Sequence, residues 1–251
     1  MNRYAEAFTF PLRKQNLGIL VLGLFVLSFL PTLFSLVPIG GAAISGVITL
    51  FLVGYYALFL QSILHASMQG EDRIPPWPDI SHPGDLLEDV LSIVAPFLVS
   101  FLPLLLLRCS IAGVSELRSA GFILQSSMPV FSESSPLMMA LSLLFIVAGW
   151  LYFPMAILVW TFYGGWSILN PVAVAKAAWQ TGPSYLALAA TVWGMVTAAW
   201  SVSLIPGMVI TAFGSSLLVF YALVVAARLL GMHYRRHRAA LGWERETPEP
   251  A

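Results

Sequence analysis

Charge is what this chain has least of: Asp, Glu, Lys and Arg make up 10% of its 251 residues, against about 25% in an average soluble domain. So few charges cannot cover a water-facing surface. Cysteine is almost absent. Cys109 alone excludes an internal disulfide, and its place beside Arg108 at a predicted helix end suggests no metal cluster. The formal net charge is zero and no basic face stands out, so nucleic acid is not an expected partner. No Gly-x-Ser-x-Gly elbow, His-Glu-x-x-His pair or phosphate-cradling glycine loop occurs. The first sixteen residues lack a short apolar core ending in a cleavage site, so the first apolar run is read as a retained span rather than a signal peptide.

Apolar runs are what the chain has instead. Hydrophobic residues reach 59% and mean hydropathy is +0.85. Runs such as Leu17–Val37, Gly41–Leu64 and Leu137–Tyr163 are nearly free of charge, and a helix of about 20 residues crosses a bilayer. The expected fold is an all-α polytopic membrane protein with about six transmembrane helices: Leu17–Val37, Gly41–Leu64, Leu86–Leu107, Leu137–Tyr163, Ser184–Leu204 and Gly207–Leu230. Of the 12 Lys and Arg, only Arg108 and Arg118 fall on the side opposite the N-terminus, the 65–86 and 164–183 loops and the C-terminus. The positive-inside rule then places both termini in the cytoplasm and the chain in the cell inner (cytoplasmic) membrane as a multi-pass protein. The cluster Arg235, Arg236 and Arg238 after the last span anchors that orientation and is a candidate site for lipid headgroups.

The expected organisation is an N-terminal interfacial segment at 1–16, a single membrane domain at 17–231 and a basic, then disordered, cytoplasmic tail at 232–251. Pro38-Ile39-Gly40 is short enough to force a tight hairpin between the first two spans, and Ala42, Gly46 and Gly54 would let the second span approach a neighbour closely. Asp85 or Gly84 is placed to cap the third helix, with Glu88 and Asp89 in its first turn. Residues 109–135 are too apolar for a free linker and are expected to lie on the membrane surface, partly helical. Asn170-Pro171 reads as an N-cap and first-turn proline, and Gly182-Pro183 as the stop of a short interfacial helix carrying Trp179, with Tyr185 following.

Residues able to do chemistry are sparse. Arg108 and Arg228 sit near span ends, where a long side chain can snorkel to water, and no Asp, Glu, Lys or His is predicted near a midplane. This argues against a proton-coupled pump. His65, Glu71, Asp72, Asp79, His82 and Asp85 share one loop, but their spacing fits no closed zinc pattern, and the expected reading is a solvated loop without metal or cofactor. Pro31, Pro96, Pro103, Pro154 and Pro206 interrupt spans, with Pro154 the clearest interior kink.

The 70–79 loop stands out, since Pro75, Pro76 and Pro78 stiffen the chain around Trp77 and hold Asp79 and, further on, Asp85 in fixed relation to it. Gly70-Glu71, Ile74-Pro75-Pro76-Trp77-Pro78-Asp79 and Asp85-Leu86-Leu87, with Ala7-Phe8-Thr9-Phe10-Pro11 upstream, resemble the hallmark of the prokaryotic membrane proteins grouped as domain of unknown function 4013. The resemblance covers roughly the first 107 residues and implies a multi-span membrane fold in a bacterial inner membrane, with no activity to carry over. The functional expectation is a non-enzymatic scaffold or accessory subunit with no catalytic residue. It would present Trp77, Pro75, Pro76, Asp79 and Asp85 to a membrane or cytoplasmic protein partner, or to a headgroup. The alternative is a transporter or facilitator for a small molecule or lipid, built on the proline-broken helices.

Overall fold

The computed structural model describes residues 3–14, 16–19, 21–23, 25, 41–77, 83–112, 136–163, 167, 170–202 and 214–243. Every regular element among them is a helix: α1 (Arg3–Thr9), α2 (Gly41–Gln69), α3 (Pro83–Ala112), α4 (Pro136–Tyr163), α5 (Pro171–Thr181), α6 (Pro183–Val202) and α7 (Ser215–Leu241). Two of them, Pro136–Tyr163 and, within α7, Ser216–Leu241, are helices long enough and with an apolar enough stretch to cross a membrane. The chain divides into two compact units, Met1–Ile93 with Ala177–Ala251, and Val94–Lys176.

The first unit is organised around α2 and α7. Leu52, Tyr56, Phe59, Leu60 and Ile63 recur at helical spacing on α2, and Leu217, Phe220, Tyr221, Val224 and Ala227 do so on α7; these two stripes form one core with Phe10 and Ile74. Tyr56 meets Phe220 edge to face at 5.3 Å, while further along both chains Arg228 reaches Ser67. The two helices therefore run parallel. Gly231 lets them approach closely, because a Cβ there would lie 2.4 Å from the Ser67 Cβ and 2.8 Å from the Leu64 carbonyl oxygen. The sequence offers Ala42, Gly46 and Gly54 for this role, but it is Gly231, on the opposite helix, that carries it at this crossing. The α6 helix runs antiparallel to α7, its Ser184 meeting His237 near the far end of α7.

In the second unit Phe97, Phe101 and Phe153 pack together, with ring centroids 4.9 Å and 5.8 Å apart. Gly149 lies under the Phe101 ring, where a Cβ would come within 2.6 Å of Cε1. Pro96 and Pro103 lie inside α3 and Pro154 inside α4, and both helices continue past them. Ser100 Oγ donates to the Pro96 carbonyl at 2.6 Å. Along α4, Leu144, Val147 and Leu151 leave a continuous apolar face exposed. A face of that kind suits lipid better than water.

The helix boundaries follow the local chemistry. Asn170 Oδ1 accepts from the backbone N–H of Val172 and Ala173 at 3.1 and 3.3 Å, as its N-cap reading requires. Gly182, at φ +60°, ends α5 by donating to the carbonyls of Ala178 and Trp179. Trp179 is 88% exposed, whereas Tyr185, expected beside it at headgroup level, is buried. The basic stretch after Leu230 continues α7 as far as Leu241, where Gly242, at φ +63°, closes the helix on the Arg238 carbonyl. The tail then folds back far enough for Tyr234 OH to donate to the Trp243 carbonyl at 2.9 Å. Most of the first expected span, the 113–135 segment and residues 244–251 lie outside the described residues.

Candidate functional site

Three separate pieces of chain converge on one side chain, Arg228 of α7. It is only 2% exposed, in a helix that is otherwise free of charge up to Leu230. Its Nη2 lies 2.8 Å from Asp72 Oδ1 and 3.7 Å from Glu6 Oε1. Its Nη1 donates to Ser67 Oγ at 3.3 Å and to the Glu71 carbonyl. The guanidinium also sits 4.5 Å from the centre of the Phe10 ring, a cation–π distance. Snorkelling does not describe this side chain. A buried guanidinium needs compensating charge and acceptors, and folding supplies them from the N-terminal helix and the loop after α2.

The loop is shaped to deliver those acceptors. Gly70 adopts φ +89°, a region that favours glycine. The reversal lets Glu71 N–H donate to the Ala66 carbonyl at 2.9 Å and end α2. The Arg235 guanidinium occupies the space that a Cβ at Gly70 would need. Arg13 Nη1 donates to the Asp72 carbonyl at 3.3 Å. Asn16, 1% exposed, ties the loop to the N-terminal segment: its Nδ2 donates to the Phe10 carbonyl at 2.7 Å, and its Oδ1 accepts from Ile74 N–H at 3.4 Å. Tyr221 OH donates to the Phe8 carbonyl at 2.6 Å, fixing α1 against α7.

Trp77 completes the clasp from the other end. Its ring stacks on Phe59 at 4.3 Å and on Tyr55 at 5.4 Å, and meets Tyr56 edge on at 5.8 Å. Its Nε1 has no hydrogen-bond partner. The indole is thus held by packing rather than by a hydrogen bond and turns toward α2. Pro75 is half-buried, Ile74 is buried, and Glu71, Asp72, Arg73 and Pro76 stand exposed. Asp79 lies outside the described residues, and Asp85 falls in the first turn of α3. Arg235, Arg236 and Arg238 are all exposed on the last turns of α7, where positive charge complements the helix dipole.

Glu6, Asn16 and Ser67 are the partners that the sequence did not single out, and Arg228, expected to snorkel, is instead buried. Arg228 did carry a signal, being the lone charge inside an apolar run; Asn16 and Ser67 carried none. Beyond the apolar stretch, His233 is 8% exposed and its ring lies 4.7 Å from that of His237. Burial first, then the neighbouring His237 and Arg236, hold its pKa down at about 4. Compared with known proteins, the chain matches no family model, no curated protein and no solved structure.

Proposed function

We propose that this chain is a multi-pass protein of the inner membrane, with about six spans and both termini cytoplasmic, acting without catalysis as a scaffold or accessory subunit. The observation that carries the reading is the clasp. Arg228, Asn16 and the Trp77 ring stack fix the 70–77 loop from three directions, so that Glu71, Asp72, Arg73 and Pro76 are displayed on a rigid base. A preorganised loop loses little entropy on docking, which suits a protein partner. The parallel packing of α2 and α7 supports the topology, since the second and sixth of six spans share a direction.

Membership of the family grouped as domain of unknown function 4013 is part of this proposal, resting on the motif. Its residues have separable jobs here: Gly70 turns the chain, Trp77 anchors it and Pro76 is displayed. The facilitator reading draws less support, because Phe97, Phe101 and Phe153, beside Pro96 and Pro154, pack on one another.

Crosslinking in intact membranes followed by affinity capture tests the scaffold reading. A stoichiometric partner should be recovered with the native chain and lost with the double reversal Glu71→Lys, Arg73→Glu, at unchanged expression. Recovery of a partner-free chain would sink it.

A further inference from the structure

Two recesses open side by side where α1 and α6 meet the basic end of α7. The narrower encloses about 50 Å3, and Tyr4, Leu188, Leu229, Met232, His233 and Arg236 line it. The wider, about 350 Å3, is bounded by Glu6, Met232, Arg235 and Arg236. Met232 and Arg236 belong to both. The walls are graded: Leu188, Leu229 and Met232 offer hydrocarbon, while Arg236 and His233 offer N–H donors.

His233 is the unusual member. It is 8% exposed, and its Nε2 has no hydrogen-bond partner. Buried polar nitrogens are nearly always paired, so an orphan on a residue of the cavity wall points to a missing acceptor. A neutral imidazole protonated at Nε2 can still donate to an anion. Arg236 is exposed at the same recess, and a guanidinium fork matches phosphate oxygens in pairs. Ser184, also on the wall, is already engaged with the Thr181 carbonyl at 2.7 Å and His237 Nε2 at 2.9 Å, and so acts as a fixed wall. Glu6 at the wider recess bears negative charge, but it faces Arg228 at 3.7 Å, which offsets it.

We propose that Arg236 and His233 bind the phosphate of a phosphorylated ligand at these recesses, with Leu188, Leu229 and Met232 taking up its apolar part. Two sources share this chemistry, a phospholipid of the surrounding bilayer and free phosphate. The lipid source rests on the membrane reading proposed above, and Glu6 and Arg235 of the wider recess also touch the clasp and the loop, so the test varies Arg236 and His233 and leaves the loop unaltered.

The test is native mass spectrometry of the detergent-purified full chain, with phosphatidylglycerol as the probe and inorganic phosphate as competitor. One lipid should be retained per chain. Arg236→Gln should weaken retention about tenfold, the worth of a charged hydrogen bond. Arg238→Gln, exposed and lining neither recess, should leave it unchanged. His233→Leu should also weaken retention; should that variant fail to fold, the arginine pair still decides. Displacement of the lipid by millimolar inorganic phosphate would identify the phosphate group as sufficient, and persistence of the lipid would show that its apolar part is needed. Equal losses for Arg236→Gln and Arg238→Gln would overturn the proposal in favour of diffuse basic attraction. So would the absence of retained lipid together with no thermal stabilisation by inorganic phosphate.

Discussion

Arg228 on the last helix and Asp72 in the loop after α2 are 156 residues apart in sequence and 2.8 Å apart in space. This contact joins the C-terminal helix to the part of the chain richest in turn residues. Glu6 and Phe10 approach the same guanidinium from the N-terminal segment. One cation thus holds three segments of the chain together at one end of the first unit.

The strength of that pair can be isolated by a double-mutant cycle. The Asp72 side chain is 68% exposed, so solvent screens part of its interaction. A coupling of about 1–2 kcal/mol is expected between Asp72→Ala and Arg228→Met. Thermal unfolding in detergent would report it as Asp72→Ala lowering Tm in the native background and hardly at all beside Arg228→Met. Full additivity would show that the contact contributes nothing.

Trp77 separates ring packing from hydrogen bonding. Because its Nε1 bonds to nothing and its ring stacks on Phe59 and Tyr55, Trp77→Phe should cost less than about 1.5 kcal/mol. Trp77→Ala should cost about 3 kcal/mol, and limited proteolysis should then cut the 70–77 loop. Equal effects of the two substitutions would refute the packing account.

Two glycines make opposite predictions from one physical rule. An alanine Cβ at Gly231 would overlap Ser67 and Leu64, whereas at Gly194 it would meet nothing within 4 Å. Gly231→Ala should therefore lower stability by about 1–3 kcal/mol by forcing α2 and α7 apart. Gly194→Ala, inside α6, should raise it by up to about 1 kcal/mol through helix propensity. Tm measurements on the two purified variants decide this.

His233 gives the fold a pH dependence of definite sign. Its pKa falls from 6.5 to about 4 on folding, so between those values the unfolded chain binds the extra proton. Stability from this group is complete above about pH 6.5 and is lost as pH falls toward 4, by on the order of 2–3 kcal/mol. The His233→Gln variant should show a flatter Tm profile across that interval. An unchanged slope would place the titration elsewhere.

The helices were legible because hydrophobic runs and their punctuation are local signals. Gly41 and Tyr163 fall at element ends as read, and α4 and α6 begin one residue before the expected Leu137 and Ser184. The Asn170 cap and the Gly182 stop likewise depend on neighbours a few residues away. The clasp was not legible in this way. Trp77 and its prolines announced a stiff loop, but whether the indole turned outward or onto Phe59 depended on a helix surface that only packing brings beneath it.

By itself, then, the sequence determined the helical secondary structure: little charge, long apolar runs, two of which form helices long and apolar enough to cross a membrane, and turn residues that divide them. Tertiary structure decided what the few polar residues do. Arg228, Asn16 and His233 each look like a lone polar group beside hydrocarbon, and their roles are set by partners, or by a missing partner, that no local pattern encodes. Buried hydrogen bonds and ion pairs act over about 3 Å, and which groups come within that distance follows from how α1, α2, α6 and α7 stack together.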